Sequence, residues 1–281
     1  MILGRGFWKH AVVAFVLWVL CWAVYHNSLH NDFMIDDHGM VLQDTKIHNP
    51  KFFFYQFIPD LQKNLSLEGS KGDVYYRPLA HVLPMAGYLW FGSDPFGYHL
   101  LNLILFYLCA MAFYGFWNLL LKDGSLAFLT TLFFCAHPIN ALLVNYITAS
   151  VFSVQVLSMT ASLALVLIAS DESGFRRISE RRRGLLYFLS LIFFGISLLC
   201  HETAAVFPLY LAACLWFSRP YSFKKVLTVC SPFLITVGLY LVFRWEHASL
   251  KTSLLEKIPL GDLSWAGYIA TFTRLVVCYL E

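Results

Sequence analysis

The feature that most constrains this chain is its succession of long apolar runs. They recur from residue 11 to near residue 280, separated by short polar connections. A run of about 20 apolar residues matches the hydrocarbon core of a bilayer, and a soluble fold has no use for so many of them. The composition agrees: 59% of the residues are hydrophobic and 13% are charged, about half the charged share of a soluble domain. The net charge of +3 is too small, and the basic residues too clustered, to suggest a nucleic-acid partner. The seven cysteines lie inside apolar runs without any CxxC pair. They read as small buried hydrophobes rather than disulfides or metal ligands.

Taken in order, the runs predict an all-α integral membrane bundle of seven to eight transmembrane helices. Span one covers residues 11–25, preceded by Arg5 and Lys9. It lacks a small-x-small cleavage site and reads as an uncleaved anchor. Residues 30–78 form a large first outer loop, long enough to carry short interfacial helices of its own. Residues 79–91 are apolar, too short to span, and interrupted by Pro84. Further spans fall at 98–121, from 126 to the His137–Pro138 break, 151–169, 185–200, 203–217 and 226–243. The fifth and sixth look short for a bilayer. An eighth apolar segment begins at 265, and the chain ends inside it at Glu281. The whole reads as a single transmembrane module, 1–281.

Lys and Arg collect in alternate connections: Lys122, Arg176, Arg177, Arg181, Arg182, Arg183, Arg219, Lys224 and Lys225. Cytoplasmic loops carry such an excess, so the N-terminus is expected on the cytoplasmic side. That parity brings Asp36, Asp37, His38, Asp94, His99, His137, His201, Glu202 and Arg244 to the outer ends of spans. Ionisable groups at membrane depth usually mark a site or a pathway. Asp94 precedes Pro95 and reads as a turn residue; His99 reads as a packed interfacial histidine. Asp36 and Asp37 are different. Two adjacent carboxylates repel each other, and Phe33, Met34 and Ile35 beside them add desolvation. Three chemistries fit: proton abstraction from a hydroxyl, metal binding with His38 and other histidines, and ion transport. The metal reading lacks a defining ligand spacing, and the transport reading lacks acids near the midplane.

Several motifs occur in order: FMIDDHGMVLQD at 33–44, then NP, YRPLAHV at 76–82, DPFGYHLLN at 94–102, FFCAHPINALLVNYI at 133–147 and LLCHET at 198–203. Their order and spacing resemble the transmembrane O-mannosyltransferases that target cadherins and their bacterial relatives, within the GT-C superfamily of membrane glycosyltransferases. The resemblance implies a GT-C-like module of about seven helices. It implies a polyprenyl- or dolichyl-phosphate sugar donor, a protein or glycan acceptor, and inverting transfer on the periplasmic or lumenal side. The membrane would be a bacterial inner membrane or that of the endoplasmic reticulum. The general base falls on Asp36, with Asp37 second. Arg77 matches a position for a cation near the donor phosphate, with His137, His201, Glu202 and Arg244 as further substrate-binding candidates. No metal cofactor is required, and a membrane partner subunit is compatible with the scheme. Leu142 stands where members usually carry an acid, Ser150 and Phe152 where they often carry Arg and Asp, and His201 where Lys is usual. These departures set a second expectation beside the first: a catalytically degenerate membrane scaffold or assembly subunit.

Overall fold

The computed structural model describes residues 3–58, 76–170, 179–219 and 221–247. The triplet Asn64-Leu65-Ser66, which has the form of a glycosylation sequon, the charged stretch 171–178 and the apolar segment from 265 lie outside these residues. Among the described residues there are helices and turns and no strand. In lipid, every backbone N–H and C=O must find a partner within the chain, and helices satisfy this locally.

The helices are α1 (Leu3–Tyr25), α2 (Pro78–Phe91), α3 (Pro95–Leu121), α4 (Gly124–Ala136), α5 (Ala141–Asn145), α6 (Ser150–Ala169), α7 (Glu180–Cys200), α8 (Phe207–Ser218) and α9 (Phe223–His247). Five stretches are long and apolar enough to cross a membrane: Trp8–His30, Pro95–Leu121, Ile147–Ala169, Glu180–Cys200 and Phe223–Arg244. A sixth is available if Gly124–Ala136 and Pro138–Asn145, bent by 61°, count as one broken span. Against the expected seven to eight spans, the described residues contain five or six. The break at Pro138 and the shortness of Glu202–Ser218 take two of the first seven out of the count, and the eighth lies outside the described residues. Hydropathy alone divides a run without reporting its bend or helical length.

Local chemistry sets the helix ends. Asp94 caps α3, its carboxylate accepting from Phe96 N at 3.0 Å. Asp123 caps α4 by accepting from Ser125 N and Leu126 N, and Ser179 caps α7. Side-chain oxygens in these positions satisfy N–H groups that the first turn leaves open. The α7 cap corrects the length of the fifth span. The helix begins at Glu180, not at 185, because Glu180–Arg183 are good helix formers with Glu180 in the first turn and paired to Arg183 at 3.1 Å; its 21 residues can cross. Likewise 79–91 is one helix, α2, with Pro84 inside it. It ends at Gly92, whose φ of +58° is open to glycine at little cost.

Two apolar cores hold the bundle. Leu17, Cys21, Phe106, Ala127 and Cys135 join α1, α3 and α4. Phe194, Leu198, Phe207, Leu211 and Phe233 join α7, α8 and α9. The α6–α7 seam is polar: Ser162 Oγ and Ser190 Oγ lie 2.8 Å apart, and each bonds the other residue's carbonyl, at 2.9 and 3.0 Å. Small hydroxyl residues let two membrane helices approach closely. Large apolar side chains such as Phe133, Trp216 and Leu239 stay exposed on the outside, as a lipid-facing surface requires.

Candidate functional site

Within 31–58 the chain forms single helical turns, at His38–Gln43, Pro50–Phe52 and Phe54–Phe57. Phe33, Val41 and Ile47 pack them onto Met85 of α2, Tyr98 of α3 and Ile147. This third core fixes the Asp36–Asp37 pair against the membrane helices.

The two aspartates have different surroundings. Asp37 is fully buried. Its Oδ1 accepts from Thr148 N at 2.9 Å, and its Oδ2 accepts from Ile147 N at 3.3 Å and Met34 N at 3.1 Å. It therefore ties the loop to the entrance of α6, where the Ile147 and Thr148 N–H groups would otherwise be buried without partners. Its own N–H closes the same turn on Met34 O at 2.8 Å. Inside that turn Ile35 has φ +42°, a conformation a β-branched residue adopts only when its surroundings impose it. Asp36 projects from this turn and is exposed. It lies within hydrogen-bonding reach of the Tyr146 phenol. Burial raises the Tyr146 hydroxyl above the usual tyrosine range, Thr148 opposes the shift, and the Asp36 carboxylate adds to it. The backbone carbonyls of Tyr146 and Ile147 are held by Asn102 Nδ2, at 2.9 and 3.5 Å.

A second polar cluster gathers four of the candidates. Arg77 grips Glu202 with two parallel hydrogen bonds, Nε to Oε2 at 2.8 Å and an Nη to Oε1 at 2.6 Å. The planar guanidinium fork is what makes such a pair possible. Arg244, with 8% of its side chain exposed, reaches Glu202 Oε2 at 3.3 Å from the end of α9. Its Nε is buried without a hydrogen-bond partner. Burial opposes ionisation of Glu202, but the hydrogen bonds from Arg77 and Arg244 outweigh it and hold the carboxyl down at about 2. His201 Nδ1 accepts from Thr203 N. Burial and the two guanidinium groups hold its imidazole below the ordinary range against the pull of Glu202.

The turn Ile147–Ala149 and the N-terminal part of α6 link the two clusters. Thr148 bonds Asp37, Phe152 packs its ring 5.2 Å from that of His201, and Gln155 Nε2 donates to Thr203 Oγ1 at 2.9 Å. From Thr148 to Gln155 the rise is about 10 Å. Asp37 and the turn that carries His201 and Glu202 thus both meet the chain around the N-terminus of α6, at the same end of the bundle. His137 is not brought into either cluster. It is exposed, and its Nδ1 caps the turn Pro138–Asn140 by accepting from Ile139 N at 3.3 Å. His99 is fully buried, with Nδ1 3.4 Å from Val144 O. Among the described residues no three His, Cys, Asp and Glu side chains are grouped to hold a metal ion. Asn102 and Tyr146 lie inside the motifs without standing out there, and Gln155 lies outside them with no signal of its own.

The fold and these clusters define a multi-pass helical membrane protein with a polar site at one end of its bundle. Over 118 residues it is 30% identical to the protein O-mannosyl-transferase TMTC2 of Homo sapiens and, over the same length, to that of Mus musculus. Over 152 residues it is 28% identical to the protein O-mannosyl-transferase TMTC3 of Homo sapiens. The matches cover 42% of this chain and 14% of TMTC2, and 54% of this chain and 16% of TMTC3. The chain thus spans less than a fifth of the length of the curated relatives it matches. No protein-family model matches it, and no solved structure does. At this level the chain is distantly similar to sugar transferases.

Proposed function

We propose that the chain carries the site of a GT-C-like glycosyltransferase that moves a sugar from a polyprenyl- or dolichyl-phosphate donor to an acceptor hydroxyl. The observation that carries the proposal is the placement of an exposed carboxylate and a cationic cluster at the same end of the bundle, both beside the N-terminus of α6. Arg77 and Arg244 bring two positive charges and Glu202 one negative. The surplus of one matches the single negative charge of a lipid-phosphate sugar.

Asp36 is the general base. It takes the proton of the acceptor hydroxyl while that oxygen attacks the anomeric carbon. The bond from that carbon to the phosphate oxygen breaks, and the lipid phosphate leaves with the electron pair. A single displacement inverts the centre and needs one base. The leaving phosphate gains a second negative charge as the bond breaks, and preformed donors on Arg77 and Arg244 lower the energy of that state. Asp37 holds the loop that presents Asp36. The basic connections support a cytoplasmic N-terminus and a site facing the periplasm or lumen.

The experiment is native mass spectrometry of the purified protein with a polyprenyl-phosphate hexose. Wild type and Asp36→Asn retain the donor, and Arg77→Ala loses it. Absence of donor from folded wild type overturns the proposal and favours the scaffold reading.

A further inference from the structure

The end of the bundle remote from these carboxylates contains a cleft of about 320 Å³, where the C-terminus of α6 meets the N-terminal halves of α7 and α9. Two of its walls carry the same gradient. Along α7 the lining runs Arg183, Tyr187, Leu191; along α9 it runs Lys225, Val229, Phe233. Each series advances by four residues and so keeps to one helix face. In both, a cation stands at the loop end and an apolar side chain lies about 12 Å further into the bundle.

The mouth is built for an anion. Tyr187 and Tyr221 are both fixed on Ser170, the first with its hydroxyl 2.9 Å from Ser170 Oγ, the second donating to Ser170 O at 2.7 Å. Lys225 Nζ lies 5.8 Å from the centre of the Tyr221 ring. Arg183 bonds Glu180 through one Nη, but Glu180 is 85% exposed, so water screens that pair. The Arg183 side chain lines the cleft and is 31% exposed, so its guanidinium can meet an acceptor that enters there.

We propose that this cleft binds the phosphate of an anionic phospholipid. The phosphate lies at Arg183 and Lys225, and an acyl chain lies over Leu191, Val229 and Phe233. A soluble anion would use the mouth and leave the apolar floor unfilled. A zwitterionic lipid would bring its own cation to a mouth that is already cationic. Basic pockets between membrane helices suit acidic headgroups for these reasons. The cleft is distinct from the Asp36 and Glu202 clusters, so the inference does not depend on the proposed transfer.

The test is lipid retention by the full chain in native mass spectrometry. Phosphatidylglycerol and phosphatidylcholine are the probes, and inorganic phosphate is the competitor. Wild type is expected to retain phosphatidylglycerol at least tenfold over phosphatidylcholine, and millimolar phosphate is expected not to displace it. The Arg183→Gln/Lys225→Gln variant is expected to lose that preference. Arg181→Gln/Arg182→Gln removes the same charge from exposed positions outside the cleft and is expected to keep it. Leu191→Trp, which fills the floor, is expected to lose retention with the basic mouth intact, and it decides the matter should the charge variant not fold. Equal retention of the two lipids, equal losses in the two charge variants, or displacement by phosphate would each overturn the proposal.

Discussion

Arg77 and Glu202 stand 125 residues apart in the chain and meet in a bidentate pair, at 2.8 and 2.6 Å. The pair fastens the N-terminus of α2 to the turn that precedes α8. Arg244 closes the group from α9. One carboxylate therefore holds three segments together and leaves one unit of positive charge beside α6.

Replacing Glu202 by Gln leaves Arg77 and Arg244 close together without an anion. Breaking a fully buried pair costs about 3–5 kcal/mol. With 28% of the Glu202 side chain exposed, about 2–3 kcal/mol is the expected loss. A lowered midpoint of thermal unfolding in detergent checks this. Arg77→Lys is expected to lose much of the same stability, because a single ammonium cannot reproduce the fork.

The two adjacent aspartates are expected to separate stability from activity. Asp36→Asn should fold with an unchanged midpoint, since the side chain is exposed. Asp37→Asn puts an NH2 group among backbone donors at Met34, Ile147 and Thr148. A loss of roughly 1–3 kcal/mol follows from at least one unsatisfied buried group. Unfolding midpoints of the two variants, measured side by side, check the contrast.

Acid should weaken the fold in two stages. His201 is held below its ordinary range, so the unfolded chain takes up that proton first and stability falls as pH drops through about 6.5. In the fold Glu202 is held down at about 2, against 4.5 for a glutamate free of such partners. Its stabilisation is complete above about pH 4.5 and is lost as pH falls towards 2. The second stage amounts to about 3 kcal/mol before solvent screening. The pH dependence of the unfolding midpoint reads both stages; Glu202→Gln should remove the lower one and His201→Gln the upper.

At the α6–α7 seam, Ser162 and Ser190 are fully buried and share their hydrogen bonds. Ser190→Leu forces a branched side chain into that contact and removes the hydrogen bond from Ser190 Oγ to Ser162 O. The expected loss is about 1–3 kcal/mol, read as a lower midpoint, whereas Ser190→Ala should cost about 1 kcal/mol.

Much of this was legible before any coordinates. The runs at 98–121, 151–169 and 226–243 each lie within a helix of the fold, because apolar length is the main determinant in lipid. Asp94 was readable as a turn residue from Pro95 beside it, and it caps α3. The start of α7 was misplaced because hydropathy stops at Arg183, whereas the helix is set by Ser179 and the hydrogen bonds behind it. The pairing of Arg77 with Glu202 was not legible at all. Both were candidates, but nothing local records a partner 125 residues away. The division of Asp36 from Asp37 was hidden for the same reason: the donors at Ile147 and Thr148 arrive from the turn before α6. His137 looked like part of the site through its motif, and its ring caps its own turn instead.

The most direct test of the central claim is transfer itself. Purified protein in lipid vesicles is given a polyprenyl-phosphate mannose carrying a radiolabel, with serine- and threonine-containing peptides as acceptors. Labelled peptide is counted for wild type and for Asp36→Asn. The account predicts label on the peptide with wild type, and at least a hundredfold less with Asp36→Asn at an unchanged unfolding midpoint. Equal transfer by the two proteins, or none from folded wild type that binds the donor, would contradict it.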